Sequence, residues 1–336
     1  MRSSTENTIY ITRPIPEAGL RLLREACVVR MWEGELPPPK EVLLREVAGC
    51  DGLLCLLTDP IDKEVIDAGK RLRVISQYAV GVDNIDLEAA TARGIPVGHT
   101  PGVLTEATAD LTFALLLAAA RRIPEGVEHV RQGRWRTWEP MVLLGREVWG
   151  KTIGIVGLGR IGTAVARRAR GFAMRVLYHS RSRKPDLEAE LGVEYTPLED
   201  LLAQADFVSL HCPLTPETHH LIDEAALRRM KPTAILINAA RGPVVDTDAL
   251  LRALREGWIE AAALDVTDPE PLPADHPLLD LPNCIVVPHL GSATVAARER
   301  MAVMAAENLL AGLHGERLPY CANPEVYGGV GDWGTG

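Results

Sequence analysis

The chain has 336 residues, more than a single hydrophobic core usually serves, so two domains are expected. With 36 Lys and Arg against 45 Asp and Glu, its net charge is −9. That balance repels nucleic acid and anionic lipid, and no long basic run or aromatic-basic interleaving overturns it. The opening residues lack the apolar core of a signal peptide and the most apolar stretch, 113–120, is too short to span a bilayer. A soluble, cytoplasmic protein without nucleic-acid or membrane partners is expected.

Residues 8–12 read as a first strand, 16–26 as a helix with Leu20, Leu22 and Leu23 toward a core, and 28–32 as a second strand. A helix over 37–47, a strand over 52–57, a helix over 63–69 and a strand over 73–77 follow. Strands alternating with helices imply a parallel, doubly wound α/β sheet. This first unit has no phosphate-binding glycine pattern and is expected to contribute substrate contacts. Directly after its fourth strand comes Tyr78-Ala-Val-Gly-Val-Asp-Asn84. Backbone N–H groups around Val80 and Gly81 suit a carboxylate-holding nest; alternatively, Gly81 is a positive-φ turn residue.

Thr100, Pro101 and Gly102 mark a crossing between units, and Thr105 is expected to cap a helix running to Arg121. Apolar residues cover nearly all its sides, so it is buried, between domains or across a dimer. The loop 133–138 then carries Trp135 and Trp138 in a chain only 4% aromatic. Two tryptophans on a polar loop point to an interface or a substrate wall, or else to packing on the neighbouring helix.

Residues 152–156 form a short β-branched strand, followed by Gly157, Gly159 and Gly162 and a helix over 163–170. The first glycine permits a tight turn, the second lets backbone approach a pyrophosphate, and the third lets helix pack close to strand. The helix N-terminus offers N–H groups to phosphates. The next strand ends at Ser180, where an NAD site usually places a carboxylate on the ribose. No Asp or Glu occurs between Gly162 and Asp186. Ser180, Arg181, Ser182, Arg183 and Lys184 instead offer hydroxyl and guanidinium groups suited to a 2′-phosphate, favouring NADP(H) over NAD(H). The other reading is a solvated basic loop.

Strands over 205–210, 234–238, 261–266 and 284–287 bring Arg241, Asp265, Glu270 and His289 to the edge that carries the glycines, because ligands bind at the C-terminal ends of parallel strands. A nicotinamide cofactor supplies hydride, so the protein must supply a cation for the substrate and an acid for the new alkoxide. Arg241 suits a 2-oxo carboxylate or its carbonyl oxygen, His289 the proton, and Glu270 the other ring nitrogen of that histidine. A helix over 292–313 is expected to return to the first domain, and 327–336, rich in glycine, to fray. The cysteines at 27, 50, 55, 212, 284 and 321 have no metal-ligand spacing, so neither a disulfide nor a metal is expected.

Taken together, Gly157-x-Gly-x-x-Gly162, Asn238-Ala-Ala-Arg-Gly242, the run from Ala263 to Pro271 and Pro288-His-Leu-Gly-Ser292 resemble the signatures of the D-isomer-specific 2-hydroxyacid dehydrogenases, and the likeness extends along almost the whole chain. Within that family the chain is most similar to the glyoxylate reductase/hydroxypyruvate reductase branch, on less diagnostic matches at 53–57, 137–140, 265–273, 276–279 and 308–312. The resemblance implies a Rossmann cofactor domain, 102–290, inserted into a flavodoxin-like substrate domain made of 1–101 and 291–336, with closure by hinges at 100–102 and Gly291.

It further implies Arg241, Glu270 and His289 as the catalytic set, with Asp265 near the nicotinamide amide and Thr108 beside the ring. Cofactor contacts would come from Gly157, Leu158, Gly159, Arg160, Ile161, Gly162, Ser180, Arg181, Arg183, Cys212, Pro213, Thr218, Ala239, Ala240, Arg241, Asp265, His289 and Gly291. The substrate would meet Val80, Gly81, Arg241, His289 and Trp138, the last reaching across a homodimer formed through the cofactor domain. The implied reaction reduces a small 2-oxo acid to the 2-hydroxy acid, glyoxylate to glycolate or hydroxypyruvate to D-glycerate. Glu270 rather than Gln argues against the formate dehydrogenase branch, and the absence of a long C-terminal extension argues against feedback-controlled 3-phosphoglycerate dehydrogenase. Another D-2-hydroxyacid dehydrogenase and a dinucleotide-sensing corepressor of the same fold remain the alternatives.

Overall fold

The computed structural model describes residues 7–328. The chain divides into two compact units, one of residues 1–104 and 294–336 and the other of 105–293. Nearly all of the stretch read as lacking a signal core and most of the glycine-rich tail lie outside the described residues.

The first unit contains β1 (Thr8–Ile11), α1 (Glu17–Ala26), β2 (Val28–Met31), α2 (Lys40–Val47), β3 (Gly52–Cys55), α3 (Lys63–Ala68), β4 (Val74–Gln77), α4 (Leu87–Ala92) and β5 (Val97–Gly98). Its sheet has the order β2-β1-β3-β4-β5, every pair parallel, a flavodoxin-like arrangement. The predicted start of α2 at residue 37 moves to Lys40 because Pro37, Pro38 and Pro39 precede it; a residue before proline is driven out of the helical region. The helix Val295–His314 packs on α1, β3 and β4 of this unit. Thr294 accepts the Ala297 N–H at its N-terminus, and Gly315 takes a positive φ of 77° after its last turn. Ser76 in β4 donates to the Ala305 carbonyl (2.8 Å), fixing the helix across the sheet.

The second unit runs through α5 (Thr105–Ala120), α6 (Ile123–Arg131), β6 (Thr152–Val156), α7 (Arg160–Gly171), β7 (Arg175–His179), α8 (Pro185–Leu191), β8 (Glu194–Tyr195), α9 (Leu198–Gln204), β9 (Phe207–Leu210), α10 (Glu224–Arg229), β10 (Ile235–Asn238), α11 (Thr247–Glu256), β11 (Ala261–Leu264) and β12 (Cys284–Val286). Its seven-stranded parallel sheet has the order β12-β11-β10-β9-β6-β7-β8. Strand order reverses between β6 and β9, and the ligand crevice of such a sheet lies beyond the strand C-termini at that point. Alternate residues face the two cores: Ile235 and Ile237 pack with α5 and α7, Leu236 with α9, α10 and α11. Thr105 is the first helical residue of α5 rather than the residue before it, and α7 begins three residues earlier than predicted, at the glycines themselves.

Candidate active site

The turn after β6 stands at the strand reversal. Gly157 has φ 98°, and a Cβ there would lie 2.6 Å from the Cys212 nitrogen, so the β9 loop excludes any side chain. A Cβ on Gly162 would overlap the Gly157 carbonyl oxygen, whereas one on Gly159 would meet nothing within 4 Å. Thus two glycines serve the protein's own packing and the third faces open space at the N-terminus of α7, where a phosphate would approach its backbone. Leu158 buries its side chain in the core and gives its N–H to Ser180 Oγ (2.8 Å), so its amide is already committed.

Beyond Ser180 the two arginines differ. Arg183 makes a two-point ion pair with Glu188 (2.8 Å from both Nε and Nη2), and Tyr178 donates to the same carboxylate (2.6 Å) while accepting the Lys184 N–H (2.7 Å). The hydrogen bond from Arg183, then that from Tyr178, holds the Glu188 carboxyl below its usual range. Glu188 comes from α8, nine residues past the strand end, and was not read from the sequence as part of the site. Arg181 is exposed at the loop tip.

The C-terminal ends of β10, β11 and β12 carry the remaining candidates. Asn238, 1% exposed, accepts the Ala240 N–H (3.0 Å) and donates to the Arg241 carbonyl (2.9 Å), fixing the turn on which Arg241 sits. Asp265, 2% exposed, accepts the N–H groups of Leu290 (2.5 Å) and Gly291 (2.9 Å). Burial pushes its carboxyl above the usual range although those bonds and His289 pull the other way. His289 itself has φ 53°, a left-handed backbone rare for a residue with Cβ, held by its N–H to the Asp265 carbonyl (2.9 Å). Its Nδ1 lies 2.6 Å from Glu270 Oε1, which leaves Nε2 as the other ring nitrogen. Burial alone would raise the Glu270 carboxyl, but the hydrogen bond and charge of His289, aided by the Thr267 N–H and the Arg241 charge, hold it below the usual range. A cation and a carboxylate-oriented imidazole therefore stand on the sheet edge that carries the glycine turn.

The pattern of the family described as "D-isomer specific 2-hydroxyacid dehydrogenase, NAD binding domain" matches residues 113–291. The chain belongs to the D-isomer-specific 2-hydroxyacid dehydrogenases. It is 57% identical over 319 residues to a glyoxylate reductase of Korarchaeum cryptofilum, covering 95% of this chain and 96% of that one. A glyoxylate reductase of Thermococcus kodakarensis is 55% identical over 322 residues, with 95% and 96% covered. Among solved structures, the TT0316 protein of Thermus thermophilus superposes with a TM-score of 0.89 at 54% identity, covering 94% of this chain and 99% of that one. An NADPH-dependent glyoxylate/hydroxypyruvate reductase of Sinorhizobium meliloti, in complex with NADP and malonate, gives 0.84 at 31% identity, covering 95% and 98%.

This dehydrogenase uses a nicotinamide dinucleotide, and the open space at Gly159 and the preformed turn fit that cofactor. Other residues implied by the family likeness occupy the same unit. Thr108 donates to the Gly291 carbonyl (3.0 Å), and Thr218 Oγ1 bridges the Pro213 carbonyl (2.7 Å) and the Thr215 N–H (2.8 Å). Cys212 is buried, which pushes its thiol up to about 11 and keeps it neutral. Ala240 is buried, Ala239 and Ile161 half-buried, and Arg160 exposed. Trp138 is 78% exposed, so packing within its own chain does not account for it. In the first unit Val80 and Gly81 lie in the partly exposed loop after β4, and Gly81 does not take a positive φ, which removes the turn reading. One dehydrogenase feature went unread: Ser209 Oγ lies 2.8 Å from His211 Nε2 beside the glycine turn, and burial lowers His211 to about 4, making it a neutral structural imidazole. Only its position at a strand end could have signalled it.

Proposed function

We propose that this dehydrogenase reduces glyoxylate to glycolate and hydroxypyruvate to D-glycerate, with NADPH preferred, as a cytoplasmic homodimer. The His289–Glu270 contact of 2.6 Å, on the edge shared with the glycine turn, carries the reading. Relatives more than 50% identical over nearly the whole chain and named glyoxylate reductase support the substrate. The cofactor supplies a hydride to the carbonyl carbon. His289 gives the Nε2 proton to the carbonyl oxygen as it becomes an alkoxide, while Glu270 accepts the Nδ1–H and orients the ring. Arg241 holds the substrate's carboxylate or carbonyl oxygen, and the N–H groups of Val80 and Gly81 hold the carboxylate. Asp265 serves chiefly by pinning the backbone at Leu290 and Gly291 that carries His289.

Arg181 and Ser180 are the proposed readers of the 2′-phosphate, with Arg183 shaping the loop from its pair with Glu188. The test is steady-state reduction of glyoxylate, hydroxypyruvate, 3-phosphohydroxypyruvate and pyruvate with each coenzyme. The expected result is highest kcat/KM on the first two with NADPH, and a loss of that coenzyme preference of about tenfold or more in Arg181→Ala. Preferred turnover of the phosphorylated acid, or an unchanged coenzyme ratio in Arg181→Ala, overturns the respective assignment.

A further inference from the structure

Three consecutive peptide planes after β4 are tied down through their carbonyl oxygens. Ala79 O accepts the Thr100 N–H (2.9 Å), Val80 O lies 2.9 Å from His99 Nδ1, and Gly81 O accepts from Gln77 Nε2 (3.3 Å). In a trans peptide the carbonyl and the following N–H point to opposite sides. These bonds therefore set the directions of the Val80, Gly81 and Val82 N–H groups. Among the described residues none of those three N–H groups has a hydrogen-bond acceptor. Backbone donors ordinarily find partners, and three successive ones without a protein acceptor on a half-buried loop are open to solvent or to a ligand.

The brace is itself fixed. Gln77 is fully buried, accepts the Cys55 thiol at Oε1 (3.1 Å) and gives its other Nε2 hydrogen to Asn84 Oδ1 (2.7 Å). Asn84 Nδ2 then donates to the carbonyls of Leu56 (3.0 Å) and Asp59 (2.8 Å). Every donor hydrogen of the two amides has an acceptor, and flipping Gln77 would set its oxygen against Asn84 Oδ1. His99, facing a carbonyl, carries a proton on Nδ1.

We propose that His99, and Gln77 locked by Asn84, are positioning residues that hold residues 80–82 as a preformed three-amide receptor for a compact carboxylate, adding the Val82 N–H to those of Val80 and Gly81. This rests on the reading that the loop binds the substrate carboxylate. The bracing side chains donate nothing to the ligand; they spare it the ordering of the loop.

His99→Leu and His99→Asn decide the matter, since the asparagine Nδ2–H can replace the ring Nδ1–H and leucine cannot. The readouts are KM and kcat for glyoxylate, NADPH affinity, and calorimetric affinity of the NADPH-loaded enzyme for oxalate, a carboxylate that is not turned over. His99→Leu should raise KM and weaken oxalate about tenfold with kcat and NADPH affinity within about twofold, and His99→Asn should return both to within about threefold of the parent. Parent-like values in His99→Leu, or an asparagine variant as weak as the leucine one, overturn the brace. Gln77→Met should act like His99→Leu; if that buried change prevents folding, the His99 pair still decides. Gly81→Pro deletes one amide hydrogen. Weak binding in Gly81→Pro alone overturns only the positioning role, and unchanged binding in Gly81→Pro overturns the carboxylate reading together with the brace.

Discussion

At the scale of single residues, the candidate site holds one carboxylate under opposing pulls. Glu270 is drawn up by burial and down by His289, and the histidine prevails. Removing the imidazole in His289→Ala leaves burial opposed only by the Thr267 N–H and the Arg241 charge. The Glu270 carboxyl should then titrate higher than in the parent, read from its ¹³C shift against pH. The same variant should lose about 10³-fold in kcat with NADPH affinity retained. A carboxyl that titrates as in the parent would show that the pair is not what holds it. The sign for stability follows from the depressed pKa. The pair stabilises the folded state above the ordinary carboxylate range, and that contribution disappears as pH falls through the lowered Glu270 value. The difference in Tm between the parent and Glu270→Gln should therefore vanish in acid.

At the scale of elements, the strands other than the two-residue β5 and β8, and the glycine turn, were legible because buried parallel strands are short apolar runs and a φ of 98° at Gly157 leaves little choice of residue. Arg241, Asp265, Glu270 and His289 were legible for a related reason: each follows closely on a strand end, and parallel pairing places those ends together. Less legible were α4, α8, α9 and α10, six or seven residues each, too short for a helical period to stand out; α6 and α11, of nine and ten residues, also went unpredicted. Also hidden was the commitment of Arg183 to Glu188, since a pairing across five residues of loop and helix depends on where the chain turns. The three glycines make a sharper test of what the turn is for. Gly162→Ala drives a Cβ into the Gly157 carbonyl and should cost about 1–3 kcal/mol in urea unfolding. Gly159→Ala meets nothing within 4 Å and has φ −83°, so stability should change by less than about 0.5 kcal/mol. Its coenzyme affinity should nevertheless fall about tenfold, because the methyl group points where the pyrophosphate would lie. An alanine at 159 that binds coenzyme like the parent would remove that glycine from the cofactor site.

At the scale of the whole molecule, apolar exposure is concentrated rather than scattered. Nine of the seventeen exposed large apolar side chains among the described residues fall between Ile123 and Trp149, on α6 and the segment after it, although this stretch is under a tenth of the chain. Trp135, Trp138 and Trp149 are 66%, 78% and 68% exposed and by themselves present on the order of 500 Å². A standard interface buries about 800 Å² per partner, and these indoles with Met141 and Leu144 are our candidates for the apolar centre of the proposed dimer contact. With a net charge of −9, two copies repel at long range, so the proposed dimer is expected to depend on these apolar side chains rather than on charge. Sedimentation equilibrium should give twice the chain mass for the parent and one chain mass for Trp138→Asp combined with Met141→Asp, with far-UV circular dichroism unchanged. The double variant should also lose turnover if Trp138 reaches a neighbouring subunit's substrate, whereas a fully active monomer would confine these residues to assembly. Raising the salt concentration separates the forces involved: it screens the repulsion between acidic copies and strengthens apolar association, so the parent dimer should tighten with salt, and a dimer that dissociates instead is held by ion pairs elsewhere.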